Sequence, residues 1–182
     1  MVDERARLIA CIPRLRRYAR ALLGERAAAD DLVQDTVERG WQRLATWRRD
    51  SDMRAWLFSI MHNLHIDQLR ASAAPAASDD TDAAADWRPG PDAALALRDM
   101  DAALQRLAPE QRAVLLLVGL EEMSYGEVAG ALGIPLGTVM SRLSRGRERL
   151  RQLMQAPPGP APAENGDNGG AVRKPAALRV IK

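Results

Sequence analysis

The most informative part of this sequence is SYGEVAGALGIPLGTVMSRLSRGRERLRQL, residues 124–153. Ser124 and Glu127 match the Ser-x-x-Glu capping box that opens many helices, and Gly133 suits the left-handed conformation that often ends one. After Pro135 a new helix is predicted to run to the end of the stretch. A short helix, a glycine-containing turn and a second helix together form a helix-turn-helix pattern.

The second helix of this pattern has two distinct faces. Apolar residues recur at helical spacing on one face, which is predicted to pack on the domain, and hydroxyl and guanidinium groups align on the other. The inner residues are Val139, Leu143, Gly146, Leu150 and Leu153, and the outer ones are Thr138, Ser141, Arg142, Arg145 and Arg149. One alternative is that the arginines only complement the helix dipole, but their alignment on one face favours contact with phosphates and base edges in the major groove.

Composition excludes several classes of protein. Of the 182 residues, 47% are hydrophobic but only 4% are aromatic, which favours short helices over a large sheet core. No apolar run approaches the ~20 residues of a membrane span, the charged N-terminus does not resemble a signal peptide, and a single cysteine, Cys11, weakly favours a cytoplasmic location. Neither a phosphate-binding glycine loop nor a nucleophile–base pair is evident, so no enzyme is expected.

The sequence predicts no metal or other cofactor. His62 and His65 are three residues apart with no third ligand nearby, which favours ordinary buried or exposed histidines over a metal pair.

The chain divides into two periodic blocks. Residues 73–92 hold one basic and five acidic residues, and this stretch and the C-terminus are rich in Ala, Pro, Asp and Gly without helical periodicity. We therefore predict an all-α protein of two small helical domains. They span residues 1–71 and 92–155, joined by a flexible acidic linker, 72–91, and followed by a disordered tail, 156–182.

The first block is predicted to form three or four helices. Pro13 should begin or kink the first helix, and Gly24 should end it. The second begins near Ala28, with an acid-and-amide outer face, and the third spans about residues 52–70. Helical spacing places Trp41 on the inner face of the second helix, so it is predicted to be a core residue.

Both blocks resemble bacterial extracytoplasmic-function (ECF) sigma factors. The stretch from Leu107 to Leu153 resembles their region 4, and RAAADDLVQDTVERGWQRL (residues 26–44) followed by DMRAWLFSIMHNLHIDQLR (residues 52–70) resembles their region 2. The two matches come in the family's order and at its spacing. The sequence departs from the family at Met140, where many members have Lys. It also departs at Gly146, where Ala is commoner and Gly should loosen the helix by about 1 kcal/mol.

The resemblance implies a promoter-specificity subunit that acts with core RNA polymerase. Region 2 of the family docks on the clamp helices of the largest polymerase subunit, and region 4 leans on the flap of the second-largest. The positions matching the polymerase contact are Asp31, Gln34, Asp35 and Glu38. Those matching recognition and opening of the −10 element are Trp47, Arg54, Trp56, Asn63, Asp67 and Arg70. Those matching the −35 contact are Pro135, Gly137, Thr138, Ser141, Arg142, Arg145 and Arg149. Most members are controlled by an anti-sigma factor, so such a partner is expected.

Two other functions fit parts of the sequence. A stand-alone helix-turn-helix regulator would use the arginine face, but it would leave the acidic face of the second helix without a role, and no dimerisation heptad is evident. A sigma mimic that titrates an anti-sigma factor would have no need of the arginines on the recognition helix.

Overall fold

The computed structural model describes residues 2–72 and 91–155, so the predicted tail and almost all of the predicted linker lie outside the described residues. The described parts contain seven α-helices, a short 3-10 turn (Leu44–Thr46) and no strand, which confirms the all-α prediction. The helices are α1 (Val2–Leu23), α2 (Arg26–Gln42), α3 (Met53–Ser72), α4 (Pro91–Gln105), α5 (Pro109–Gly119), α6 (Tyr125–Leu132) and α7 (Leu136–Gln155). None of these helices is long and apolar enough to cross a membrane.

Helix α1 runs through Pro13, so the prediction that this proline begins the helix is wrong. Leu8 and Leu15, on either side of the proline, are both fully buried, and this packing holds the two halves in one helix. The predicted end at Gly24 is confirmed: this glycine has φ 75°, and its amide donates to the carbonyl oxygen of Arg20 at 2.8 Å.

The side chain of Glu25 caps α2. Its carboxylate accepts hydrogen bonds from the backbone amides of Ala27 and Ala28, both at 2.7 Å, so the helix begins slightly earlier than predicted. Farther along, Gly40 is buried against α3, where an added Cβ would lie only 2.8 Å from a methyl of Leu57. The glycine thus permits close packing of α2 on α3.

The helix-turn-helix has the predicted local structure. The hydroxyl of Ser124 accepts from the amide of Glu127, the carboxylate of Glu127 accepts from the amide of Ser124, and Gly133 ends α6 with φ 64°. Gly146 has a role that the sequence did not predict. Its buried backbone faces α5, where an added Cβ would lie 2.9 Å from a methyl of Leu115, so the glycine permits close packing of α7 on α5.

Helices from the two predicted domains pack on each other: α3 lies against α6, and α1 lies against α4 and α5. Arg112 of α5 is central to this contact. Its guanidinium donates to the carbonyl oxygen of Leu22 at 2.6 Å and to that of Gln105 at 2.6 Å, at the C-terminal ends of α1 and α4. One side chain therefore satisfies terminal carbonyls of two helices, which have no partner within their own helices. The predicted domain boundaries stay a prediction.

Candidate nucleic-acid interface

The seven residues predicted to read the −35 element lie together on α7 and the turn before it. The inner face of α7 is anchored by Val139 and Leu143, which are 0% and 3% exposed. The opposite face therefore points outward. Pro135, Gly137, Arg145 and Arg149 are exposed there, and Thr138, Ser141 and Arg142 are partly exposed.

One arginine near the end of α7 has a partner on its own helix. Arg151 donates to both carboxylate oxygens of Glu148 at 2.8 Å, and this hydrogen bonding lowers the pKa of Glu148. The helix therefore has a cationic face along Arg142, Arg145 and Arg149. Beside this face, the charges of Arg151 and Glu148 neutralise each other.

The four residues predicted to contact polymerase form one exposed face of α2. They are Asp31, Gln34, Asp35 and Glu38. The opposite face of the helix is buried through Leu32 and Val33 and through Thr36, whose hydroxyl donates to the carbonyl oxygen of Leu32 at 2.7 Å. Since all three anionic groups face solvent, this surface is available to a basic partner.

The residues predicted to recognise the −10 element fall into three environments. Asn63, Asp67 and Arg70 are exposed on α3, with Arg70 3.7 Å from the carboxylate of Asp67. Arg54 and Trp56 are only partly exposed, at the end of α3 that packs on α6. Trp47 is buried with 6% exposure, so in this arrangement its ring is not accessible for stacking on a base.

Trp41 is not a core residue, contrary to the prediction. It is 45% exposed, and the guanidinium carbon of Arg5 lies 4.8 Å from the centroid of its ring, a cation–π contact. Gly40 takes the inward position next to it, because the close approach to Leu57 sets which side of α2 faces α3. The next residue is turned about 100° away around the helix.

Sequence reasoning missed a charged contact between the two halves of the chain. Arg17 of α1 donates through Nη2 to Oε1 of Glu121 at 2.8 Å and to the carbonyl oxygen of Leu120 at 2.9 Å. Arg54 of α3 donates to the carbonyl oxygen of Glu121 at 2.9 Å, and Nη1 of Arg14 lies 3.9 Å from its Oε2. The partners are more than sixty residues apart in sequence, so no local pattern could have indicated the contact.

The two histidines of α3 also lie near charged groups of the second half, His62 near Arg142 of α7 and His65 near Arg112 of α5. Burial, followed by the neighbouring charges of His65 and Arg142, lowers the pKa of His62 to about 4. Burial, together with the charge of Arg112, lowers the pKa of His65 as well. Among the residues that the structure describes, no three potential metal ligands come together. Both histidines are therefore neutral groups of the interface at neutral pH.

Two family models match the chain. The model described as the Sigma2 domain of PhyR matches residues 8–62, which lie in α1 to α3. The model of Sigma-70 region 4 matches residues 97–150, which lie in α4 to α7. The two matches therefore fall on the two predicted helical blocks.

Two solved structures share this fold. RpoE of Bartonella quintana, solved in complex with the anti-sigma factor NepR, matches with a TM-score of 0.73 and 30% identity, over 85% of this chain and 98% of RpoE. CnrH, solved in complex with the cytosolic domain of CnrY, matches with a TM-score of 0.60 and 28% identity, over 81% of this chain and 86% of CnrH.

Sequence relatives agree with these structures. The ECF RNA polymerase sigma factor SigM of Mycobacterium tuberculosis is 35% identical over 142 residues, which span 77% of this chain and 71% of SigM. The ECF RNA polymerase sigma factor EcfG of Rhodopseudomonas palustris is 35% identical over 149 residues, which span 81% of this chain and 82% of EcfG. With this identity over most of both lengths, and with matches to both sigma domains, the chain belongs to the ECF RNA polymerase sigma factors.

Proposed function

We propose that this sigma factor binds core RNA polymerase through the exposed face of α2, contacts the −35 element through α7 and opens the −10 element with α3. The observation that carries the proposal is the separation of two charged surfaces. An acidic face lies on α2 and an arginine face lies on α7, each backed by a buried apolar stripe. An acidic face repels DNA and suits a basic protein surface, whereas an arginine face suits the phosphate backbone.

The −35 contact rests on the outer face of α7. Thr138, Ser141 and Arg142 lie in its first two turns, the part of a recognition helix that reaches base edges, and Arg145 and Arg149 follow toward the C-terminus. Guanidinium groups donate in a fixed fork to guanine or to phosphate. The first residues would therefore read the sequence of the element, and the later arginines would hold the helix on the duplex.

The −10 contact rests on α3 and requires a change in the arrangement of the two halves. Asn63, Asp67 and Arg70 are already exposed, and their amide, carboxylate and guanidinium groups suit the edges of unpaired bases. Arg54 and Trp56 face α6. Recruitment to polymerase would have to separate α3 from α6 before these two side chains could contact the opened strand.

Control by an anti-sigma factor follows from the relatives. The RpoE structure that shares this fold contains the anti-sigma factor NepR. We propose that a partner of this class holds the present chain inactive in the cytoplasm, where core polymerase and promoter DNA are found. Such a partner would bind both halves and favour an arrangement in which α3 stays covered.

The test is transcription with sigma-free core polymerase on fragmented genomic DNA, followed by mapping of RNA 5′ ends. The expected result is a set of discrete start sites that share two spaced upstream motifs and are absent without the protein. A variant in which Arg142 and Arg145 are replaced by Ala should lose these starts, and a matched variant with Ala at Arg98 and Arg106, exposed on and just after α4, should keep them.

A failure of this test would favour a second candidate function. The match to the Sigma2 domain of PhyR, a protein that one solved structure describes as an anti-anti-sigma factor, makes a sigma mimic the second candidate. The PhyR structure is only 18% identical and supports the fold alone. Folded protein that binds an anti-sigma factor but gives no start sites with active core polymerase would favour the mimic.

A further inference from the structure

Three arginines from the first half of the chain converge on a single turn of the second half. Arg14 and Arg17 lie on α1, Arg54 lies in the first turn of α3, and all three reach Glu121 in the turn between α5 and α6. Glu121 receives two hydrogen bonds from Arg17 on one oxygen, at 2.8 and 3.1 Å, and its other oxygen faces Arg14.

The carboxylate of Glu121 is fully enclosed in this contact. Its side chain is 0% exposed, whereas those of Arg14 and Arg17 are 49% and 52% exposed. A buried carboxylate is stable only when it is paired and hydrogen-bonded. Glu121 therefore depends on the arginines for its burial, while the arginines would remain hydrated without it.

Two of the guanidinium groups, those of Arg14 and Arg17, contact the carboxylate, and the third, that of Arg54, contacts the backbone carbonyl oxygen of Glu121. They come from two helices, so α1 and α3 together set the distances between the three positive groups. The planar fork of arginine binds carboxylate and phosphate oxygens in the same way. Two further carboxylates lie near Arg54, those of Asp52 at 3.5 Å and Glu127 at 3.9 Å, so the positive charge is concentrated on the α1 side.

The site adjoins the end of α3 that carries Arg54 and Trp56, two of the residues proposed to contact the −10 element. Asn63 and Asp67 are exposed farther along the same helix, and Asn63 lies on the side of α3 opposite to Arg54. The arginines belong to the first half of the chain and Glu121 belongs to the second. Separating α3 from α6 would therefore uncover the arginines and expose Glu121 to water. A strand that crosses α3 would then reach the uncovered site.

We propose that Arg14 and Arg17, whose guanidinium groups contact the carboxylate of Glu121, form a phosphate-binding site together with Arg54, which contacts the carbonyl oxygen of the same residue. The carboxylate of Glu121 fills this site while the two halves are together, and the backbone of the opened promoter strand fills it when they separate. This inference rests on the proposed function, because it takes the strand to be the one that α3 opens. Glu121 acts as an internal competitor. Because Glu121 belongs to the same chain as the site, its carboxylate is present there at a high effective concentration, and DNA must displace it in order to bind.

The test compares the wild-type full chain with Glu121→Lys and with the control Glu122→Lys. Both variants change the net charge equally, but Glu122 is exposed beside the contact. Binding of a fluorescent single-stranded oligonucleotide of mixed sequence is measured by anisotropy over a series of salt concentrations. Separation of the halves is measured by small-angle X-ray scattering.

We expect Glu121→Lys to increase the radius of gyration. It should also bind the oligonucleotide about tenfold more tightly than Glu122→Lys does, which is the gain expected if the site is open in about one tenth of the wild-type molecules. Adding Arg14→Gln and Arg17→Gln should remove this gain and reduce the slope of log affinity against log salt by about 0.7 per arginine. Equal binding by the two lysine variants, or a slope that does not respond to the arginines, would overturn the proposal.

A charge swap guards against loss of folding. If Glu121→Lys alone disrupts the fold, the double variant Arg17→Glu with Glu121→Lys should restore the compact particle, and failure to restore it would count against the contact. Transcription by the wild-type chain is measured separately. Start sites without arginine-dependent binding would reject only this proposal, whereas arginine-dependent binding without start sites would reject the proposed function.

Discussion

Arg112 donates through Nη1 to the carbonyl oxygen of Leu22, at 2.6 Å, and so joins α5 of the second half to the end of α1 in the first. The same guanidinium also contacts the carbonyl oxygens of Gln105 and Leu107. Its burial lowers the pKa of Arg112 from the ordinary value, although the group remains charged.

Replacing Arg112 by Met should therefore destabilise the protein by about 2–4 kcal/mol, since hydrogen bonds made by charged groups contribute about 1.5–3 kcal/mol each and the freed carbonyls are partly buried. The measurement is urea unfolding followed by circular dichroism. The control is Arg106→Met, at an exposed position one residue beyond α4. Equal unfolding midpoints for the two variants would mean that Arg112 does not stabilise the contact.

Two glycines should respond oppositely to replacement by Ala. Gly146→Ala puts a methyl 2.9 Å from Leu115 and 3.3 Å from Gln111, and overpacking of about 1–3 kcal/mol exceeds the gain in helix propensity. Gly130→Ala, in α6, meets nothing within 4 Å and should stabilise by up to about 1 kcal/mol. Thermal unfolding of both variants would measure the difference, and stabilisation of both would refute the close packing of α7 on α5.

The stability of the protein should fall in mild acid because of His62. Its pKa in the folded state is about 4, below the ordinary value of 6.5, so the unfolded chain binds the proton more readily. The contribution of His62 to the free energy of unfolding is fully present above about pH 6.5 and is lost as the pH falls toward 4. The total loss is about 3 kcal/mol. His65 and Arg142 face His62 and oppose its protonation.

The test compares urea unfolding of the wild type and of His62→Gln across this pH range. Carboxylates also titrate there, so the informative quantity is the difference between the two proteins at each pH. The free energy of unfolding of the wild type should fall relative to that of His62→Gln as the pH falls. A constant difference would show that His62 does not titrate in the interface.

The arginine face of α7 should dominate binding to the −35 duplex. Replacing Arg145 or Arg149 by Ala should reduce the slope of log affinity against log salt by about 0.9 for each lost phosphate contact. Replacing Arg142 should weaken binding by about 1–3 kcal/mol if it reads a base. Arg151→Ala is the control, because Glu148 already holds that guanidinium. The affinity of holoenzyme for a promoter fragment is measured for each variant over a series of salt concentrations. If Arg151→Ala weakened binding as much as the other replacements, the assignment of the −35 contact to Arg142, Arg145 and Arg149 would be wrong.

The acidic face of α2 should govern association with core polymerase. Asp35→Lys places a cation where a basic partner surface is proposed, so the affinity should fall about tenfold or more, since like charges across an interface cost several kcal/mol. Asp99→Lys, with the same charge change on exposed α4, should leave the affinity unchanged. Competition with a labelled wild-type chain for core polymerase measures both. A loss shared by the two variants would indicate a general effect of charge.

The sequence predicted those parts of the structure that depend on near neighbours in the chain. The capping box at Ser124 and Glu127, the left-handed Gly133 and the buried stripe of α7 each follow from spacings of a few residues, and the structure confirms them. The outward faces of α2 and α7 follow from the same periodicity. The roles of their residues in binding polymerase and DNA stay predictions.

The remaining features depend on contacts between distant segments. Trp41 follows the helical rhythm of a core residue, yet the close approach of Gly40 to α3 turns it outward. The pairing of Arg17 with Glu121 links residues 104 apart. A glutamate beside a second glutamate in a turn is an ordinary surface pattern, and only the arrangement of the two halves buries one of them.

Gly24 has a consequence for work on fragments of the chain. It ends α1 in a left-handed conformation, and an added Cβ would lie 2.9 Å from the side chain of Gln105, in the other half. The carbonyl oxygens near this end of α1 are bound by Gln105 and Arg112. A fragment that ends at residue 72 would lack both donors, so the last turn of its α1 should exchange amide hydrogens faster than the same turn in the whole protein. Affinities measured on separate halves would therefore describe helices with different ends from those of the intact chain.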